Sequence, residues 1–91
     1  MAQFKKFPVN FELTEHAKLR ISDRQISLNW IEMTLSAPQK VELDSKDPDL
    51  RHALLTITDY DNRVLRVIYN VKVIPNKVVS VYFDRKMRGK L

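Results

Sequence analysis

The sequence predicts an α+β domain in which two N-terminal helices precede a four-stranded antiparallel sheet. Two segments before Pro38 each begin at a capping residue and carry apolar side chains at helical spacing. Four later segments are rich in β-branched and aromatic residues, and only short turns separate them. Such short connections join antiparallel neighbours, because a parallel crossover needs about a dozen residues or more. With 91 residues the chain can build one core, so we expect a single domain over 1–91.

The first helix is predicted to begin after Thr14 and to end at about Arg24. Thr14 is a good N-cap, and Glu15 in the first turn suits the helix dipole. The segment 9–13 before it is expected to be extended, since Pro8 keeps the preceding residue out of the helical region. The buried stripe of this helix recurs every fourth residue, at Leu13, Ala17 and Ile21.

A second helix is predicted over about 28–36, with Ser27 as its N-cap. It ends at the sequence Ser36-Ala37-Pro38, because proline cannot continue a helix. Its apolar face is formed by Leu28, Ile31 and Leu35, with Trp30 beside them.

Four strands are predicted over 39–43, 53–58, 63–73 and 77–83. A tight turn is expected at Tyr60-Asp61-Asn62, since Asp and Asn tolerate left-handed backbone. Alternation in the last strand puts Val79, Val81 and Phe83 on one side, opposite Val78, Ser80 and Tyr82. Two helices cover only one face of such a sheet. The other face is therefore predicted to be half-exposed, and to carry Arg66, Ser80 and Tyr82 as a ligand platform.

Composition restricts the class of protein. The chain has no cysteine, which excludes a disulfide scaffold and a thiolate metal site. Its start lacks the apolar core of a signal peptide, and no apolar run approaches the roughly 20 residues that span a bilayer. We therefore expect a cytoplasmic protein without a membrane anchor. The formal net charge of +5 and the pI of about 9.7 favour a polyanion such as nucleic acid, and a solvated basic surface is the alternative.

The first helix carries the most distinctive candidates for chemistry. His16, Arg20 and Arg24 are spaced by four and form one stripe beside the buried one. Arginine forks bind phosphate bidentately, and histidine can exchange a proton near neutral pH. The alternative is that the arginines pair with Glu15, Asp23 or a strand carboxylate. No standard catalytic motif is present and the two histidines of the chain lie far apart, so no metal or other cofactor is predicted.

The strands supply further candidates. Arg66 lies mid-strand, where it would be costly to bury and would suit an anion; the alternative is a cross-strand acidic partner. Tyr82 could stack on a base or donate its hydroxyl, and the alternative is plain sheet packing. Three residues at strand ends are predicted to bind substrate: Arg51, His52 and Arg85.

Several motifs together resemble a family of small prokaryotic proteins known as domain of unknown function 4258. These are E-H-A-x-x-R-I-x-x-R-x-I-S, a second helix, a short strand ending in a Pro/Asp loop, and the strands R-V-L-R-V-I-Y and V-V-S-V-Y-F-D-R. The resemblance covers the chain from about Phe11 to Arg85. The sequence departs from the family pattern at Gln25, where glycine is often found, and at His52, where an aromatic residue is expected.

The resemblance implies a toxin-like domain with a RelE/barnase-like fold, whose relatives include metal-independent ribonucleases and the toxins of toxin–antitoxin pairs. By that likeness the functional residues of the family map onto His16, Arg20, Arg24, Arg66 and Tyr82. The first hypothesis is therefore a metal-independent endoribonuclease with RNA as substrate and an antitoxin protein as partner. His16 would act as base or acid, and the arginines would hold the phosphate.

Two other hypotheses stay open. The chain could be a non-catalytic module whose arginines bind nucleic acid or a protein without chemistry. It could also be a structural protein that forms homodimers through a sheet edge or through exposed apolar residues such as Val64 and Ile68.

Overall fold

The computed structural model describes residues 10–91. In chain order the elements are β1 (Phe11–Leu13), α1 (Glu15–Arg24), α2 (Leu28–Ser36), β2 (Lys40–Leu43), β3 (Leu50–Ile57), β4 (Arg63–Asn70) and β5 (Asn76–Phe83). Short 3₁₀ turns follow β3 and β5, over Thr58–Tyr60 and Arg85–Met87. No helix within these residues is long and apolar enough to cross a membrane.

The five strands form one mixed sheet in the order β1-β5-β4-β3-β2. The strands β2 to β5 pair antiparallel with their neighbours in the chain, whereas β1 pairs parallel with β5 at one edge. The predicted fold of two leading helices and four antiparallel strands is therefore wrong, and so is the helices-first order implied by the RelE/barnase-like resemblance. The α+β class is confirmed.

The error arises at β1. The segment 9–13 is predicted to be extended, and its described part forms the strand Phe11–Leu13, while residue 9 lies outside the described residues. Nothing in the local pattern shows that this strand joins the last strand of the chain, because parallel pairing across the whole sequence leaves no turn signal. The pairing is continued by Thr14, whose backbone N–H donates to the carbonyl oxygen of Val78 at 3.0 Å.

Capping residues begin both helices as predicted. The side-chain oxygens of Thr14 and Ser27 accept hydrogen bonds from backbone N–H groups of the first turns, at 3.1 and 3.2 Å. The first helix ends at Arg24, and Gln25 then adopts left-handed backbone with a φ of 53°. Glycine adopts this conformation without strain, whereas most residues with a Cβ atom do not.

The core lies between the two helices and one face of the sheet. It is formed by Ala17, Ile26, Ile31, Ile57, Leu65, Val67, Val78 and Val81. The register between β4 and β5 shifts by one residue, because Ile68 pairs with Ser80 and Tyr69 with Val78. This β-bulge brings Val78 into the same core as Val81, so the prediction that they lie on opposite sides is wrong.

The opposite face of the sheet is more buried at its centre than the sequence predicts. Leu54 and Val64 are 0% and 1% exposed, and Arg66 is 9% exposed. The turn Arg85–Met87 lies against β4, and carboxylates surround the guanidinium of Arg66. Val64 is therefore not the exposed apolar residue that the dimer hypothesis assumes.

Candidate functional site

The residues predicted to form a site do not meet in one place. His16 is exposed on the first turn of α1, and Arg20 is half-buried one turn later. The helix α1 packs on β1 and β5 from the core side of the sheet, opposite the face that carries Arg66. Four other candidates form two pairs. His52 contacts Arg66, and Arg24 and Arg85 line one pocket.

Two predicted residues have local structural partners. The guanidinium of Arg51 donates to the carbonyl oxygens of Pro48 and Leu50, at 2.8 and 3.0 Å. Tyr82 is half-buried and pairs with Arg66 in the register of β5 with β4. This placement agrees with sheet packing, and the stacking or donor role of Tyr82 stays a prediction.

A polar network surrounds Arg66 on the face of the sheet that points away from the helices. Its Nε and Nη2 atoms lie 2.9 and 2.8 Å from Oδ2 of Asp84, which directly follows β5. Its Nη1 lies 2.9 Å from Oε1 of Glu42 and 2.8 Å from Nδ1 of His52, and Nε2 of His52 lies 2.7 Å from Oδ1 of Asp44. Two carboxylates and one imidazole therefore hold the guanidinium, as expected if Arg66 is a cross-strand partner of acidic residues.

The network also fixes the tautomer of His52. A guanidinium can only donate hydrogen bonds, so Nδ1 of His52 must accept from Arg66. The proton of the neutral ring then lies on Nε2, which donates to Asp44. Both ring nitrogens are engaged within the protein, which leaves neither of them free for the predicted contact with a substrate.

The same contacts change the pKa values of the network. Hydrogen bonds lower the pKa of Glu42, through Arg66, and lower the pKa of Asp44 to about 2, through His52 and neighbouring backbone N–H groups. Burial raises the pKa of Asp84, but hydrogen bonding to Arg66 outweighs burial and the pKa of Asp84 is lowered. Burial opposes the charge on Arg66, yet Glu42 and Asp84 outweigh it and raise the pKa of Arg66. These four groups are therefore ionised near neutral pH.

A second group of arginines surrounds a cavity of about 400 Å³ at the end of α1. We call this site the arginine pocket, and it is lined by Arg24, Tyr60, Arg63, Phe83, Asp84, Arg85 and Arg88. Its residues come from three parts of the chain, because the antiparallel pairing of β4 with β5 brings the start of β4 beside the end of β5. The pocket therefore lies at the edge of the buried network, with Asp84 shared between them.

Three guanidinium groups of the pocket have no carboxylate partner among residues 10–91: Arg24, Arg63 and Arg85. Residues 1–9 contain no Asp or Glu that could supply one. The fourth arginine, Arg88, pairs with Asp61 at 3.1 Å. The one carboxylate in the lining, Asp84, is already bound by Arg66. The arginine pocket therefore carries unbalanced positive charge.

Aromatic rings line one side of the pocket. Tyr60 stacks on Trp30 with ring centroids 5.2 Å apart and lies 5.1 Å from Phe83. The guanidinium of Arg63 lies 4.8 Å from the centroid of the Tyr60 ring, which is a cation–π contact. These contacts hold Tyr60 and Arg63 in place before a ligand arrives, which reduces the entropy lost on binding.

The turn between β3 and β4 positions these two side chains. Asp61 and Asn62 have φ angles of 60° and 57°, so the predicted left-handed turn is confirmed. The residues on either side of it, Tyr60 and Arg63, face one another across the turn. Arg88 also donates from Nη2 to the carbonyl oxygen of Asp61 at 2.6 Å, which ties the C-terminal 3₁₀ turn to the same loop.

Sequence reasoning identified Arg24 and Arg85 but missed Tyr60, Arg63 and Asp84. A signal for Tyr60 and Arg63 was present, because Tyr60 begins the predicted turn and Arg63 directly follows it. In an antiparallel pair the start of one strand meets the end of the next. The turn residues should therefore have been placed beside Arg85.

Residues 13–83 match the model of a protein family described as a domain of unknown function, DUF4258. The chain belongs to the DUF4258 family. The matched DUF4258 segment contributes four residues to the arginine pocket, Arg24, Tyr60, Arg63 and Phe83, and the other three follow it. No curated protein and no solved structure matches the chain.

Proposed function

We propose that this DUF4258 domain binds RNA, and that the arginine pocket holds RNA phosphate. The observation that carries the proposal is the set of guanidinium groups without carboxylate partners, Arg24, Arg63 and Arg85, around one cavity of about 400 Å³. Guanidinium groups bind phosphate oxygens through two parallel, charge-assisted hydrogen bonds. This is the binding-module hypothesis, with its site moved from the stripe on α1 to the arginine pocket.

The aromatic side of the pocket supports single-stranded RNA as the form that binds. Bases of a single strand are free to stack on aromatic rings, whereas bases within a duplex are not. Trp30 stacks on the Tyr60 ring and the guanidinium of Arg63 lies over it, so a base would stack on the exposed guanidinium plane of Arg63. The net charge of +5 also favours encounter with a polyanion. We therefore also propose a cytoplasmic location, where an RNA partner would be met.

The test measures the affinity for a fluorescently labelled single-stranded RNA as a function of salt concentration. We expect Arg85→Gln to weaken binding by about tenfold, because one charge-assisted contact is lost. The slope of log affinity against log salt should become shallower by about 0.7, which is the value for one phosphate contact with a single strand.

The matched control is Lys72→Gln, which removes the same charge from an exposed position just beyond the other end of β4. It should leave both affinity and slope close to those of the wild type. If both variants weaken binding equally, general surface charge explains the affinity and the pocket proposal fails.

A second candidate function is the metal-independent cleavage of RNA, with an antitoxin protein as partner. The observation that favours it is the presence of Tyr60 in a cavity rich in arginine. Cleavage needs a group that takes the proton of the ribose 2′-hydroxyl and cations that stabilise the charge growing on phosphate. His16, the base or acid predicted from the sequence, is not among the lining residues.

Incubation of the protein with mixed RNA in chelator tests this second function. Cleavage that persists in His16→Ala but is lost in Tyr60→Phe would support it. An RNA pattern that stays intact with the wild-type protein would leave only binding.

A further inference from the structure

We infer that the arginine pocket recognises a terminal phosphate monoester of an RNA chain rather than an internal phosphodiester. This inference rests on the proposed function and names the part of the RNA that the pocket binds. It follows from the charge balance of the pocket and from how its only carboxylate is held.

The positive charge of the pocket exceeds what one phosphodiester can balance. Arg24, Arg63 and Arg85 present three guanidinium groups without carboxylate partners among residues 10–91. An internal phosphodiester offers one negative charge and two free oxygens, which two guanidinium groups can satisfy. A phosphate monoester carries a charge of about −1.5 to −2 at pH 7 and three terminal oxygens. Three arginines that line one cavity therefore match the terminal group in both charge and number of acceptors.

Asp84 lines the pocket and would repel an anion if its carboxylate were free. Its Oδ2 is bound by Arg66, and its Oδ1 accepts a hydrogen bond from the backbone N–H of Lys86 at 3.0 Å. Both oxygens are therefore used within the protein, and Asp84 is not paired with Arg24 or Arg85. The buried network keeps the pocket cations available for an incoming group with more than one charge.

Two ion pairs border the arginine pocket. Arg88 ties the C-terminal turn to Asp61, and the Arg66–Asp84 pair lies behind the same cavity. The lining thus includes one member of each pair, Arg88 and Asp84, beside the three arginines without carboxylate partners. Because the charges of Arg88 and Asp84 are already balanced, the positive charge offered to a ligand comes from Arg24, Arg63 and Arg85.

The experiment compares three RNAs of one sequence: one with a 5′-phosphate, one with a 3′-phosphate and one with hydroxyl groups at both ends. Each is titrated by fluorescence polarisation against the wild type, Arg85→Gln and Lys72→Gln. We expect one phosphorylated RNA to bind about tenfold more tightly than the hydroxyl form. Arg85→Gln should abolish this preference, and Lys72→Gln should retain it.

The outcomes separate this inference from the proposed function. If the three RNAs bind the wild type equally while Arg85→Gln still weakens binding, the terminal-phosphate inference is overturned and RNA binding at the pocket stands. If none of the RNAs binds, the proposed function is overturned together with the inference. Preference for the 5′ or the 3′ phosphate identifies which end of the RNA enters the pocket.

Discussion

One buried arginine and a group of exposed arginines lie on either side of Asp84, and they differ in their partners. Arg66 is 9% exposed and is held by Glu42, Asp84 and the imidazole of His52. Arg63 and Arg85 are exposed and have no carboxylate partner within residues 10–91. The same residue type is therefore structural in the network and available in the pocket. The carboxylates within reach decide which role each arginine takes, and helix or strand spacing does not.

The largest expected effect is the loss of stability when Arg66 is removed. Arg66→Met leaves Asp84 without its cation and leaves Glu42 only its contact with Lys40 at 3.3 Å. Breaking a buried ion pair from one side costs 3–5 kcal/mol, and the lower end applies because Glu42 is partly exposed. We expect the free energy of unfolding in urea to fall by about 3 kcal/mol.

The matched control for that prediction is Arg85→Gln, which removes an arginine from the pocket instead. Its unfolding free energy should stay within about 0.5 kcal/mol of the wild type. Equal losses of stability in the two variants would mean that the pocket arginines are structural too, and the contrast between the groups would disappear.

Acid sensitivity is the next effect. The pKa values of Glu42, Asp44 and Asp84 are lowered from ordinary values of 4.5, 3.8 and 3.8. Their ionised forms therefore stabilise the folded state fully above about pH 4.5, and this contribution is lost as the pH falls towards about 2. The urea concentration at the unfolding midpoint should decrease as the pH is lowered below 4.5. The decrease should be less steep in Asp44→Asn. A midpoint that is flat or rises on acidification would contradict the ion-paired network.

A smaller effect is expected on the aromatic side of the pocket. Tyr60→Ala removes the stack on Trp30 and the support under Arg63, and should lower the unfolding free energy by about 1 kcal/mol. Tyr60→Phe keeps the ring and serves as the control, with stability close to the wild type. If the phenylalanine variant is destabilised as strongly as the alanine variant, the hydroxyl rather than the ring holds this side of the pocket.

The smallest effect concerns the residue that follows Arg24. Gln25 has a φ of 53°, a left-handed conformation that strains most residues with a Cβ atom and that glycine adopts freely. Gln25→Gly should raise the unfolding free energy by about 0.5 kcal/mol, since glycine relieves the strain but gains freedom in the unfolded chain. Gln25→Ala should give no such gain. Thermal unfolding of the three proteins measures the difference, and a lower midpoint for the glycine variant would contradict the argument.

Local features of the fold could be predicted from the sequence, and long-range ones could not. Thr14 and Ser27 were identified as caps because a hydroxyl before an apolar helix acts within a few residues. The parallel pairing of β1 with β5 has no local signature, and the β-bulge near Val78 breaks the alternation from which faces are predicted.

In the candidate site, too, local features could be predicted from the sequence and long-range contacts could not. The stripe of His16, Arg20 and Arg24 follows from helix geometry, but spacing cannot show which arginines find carboxylates in space. Glu42 and Asp84 are 24 and 18 residues from Arg66 in the chain, and they meet it only through the register of the sheet. Sequence reasoning therefore found basic residues of the right type and could not separate the structural ones from the available ones.

The most direct test of that separation is NMR observation of the arginine side chains during titration with inorganic phosphate. The account predicts saturable shifts of the Nε–Hε signals of Arg24, Arg63 and Arg85, with the signal of Arg66 unchanged. A saturable shift of Arg66, or pocket signals that do not respond to phosphate, would contradict it.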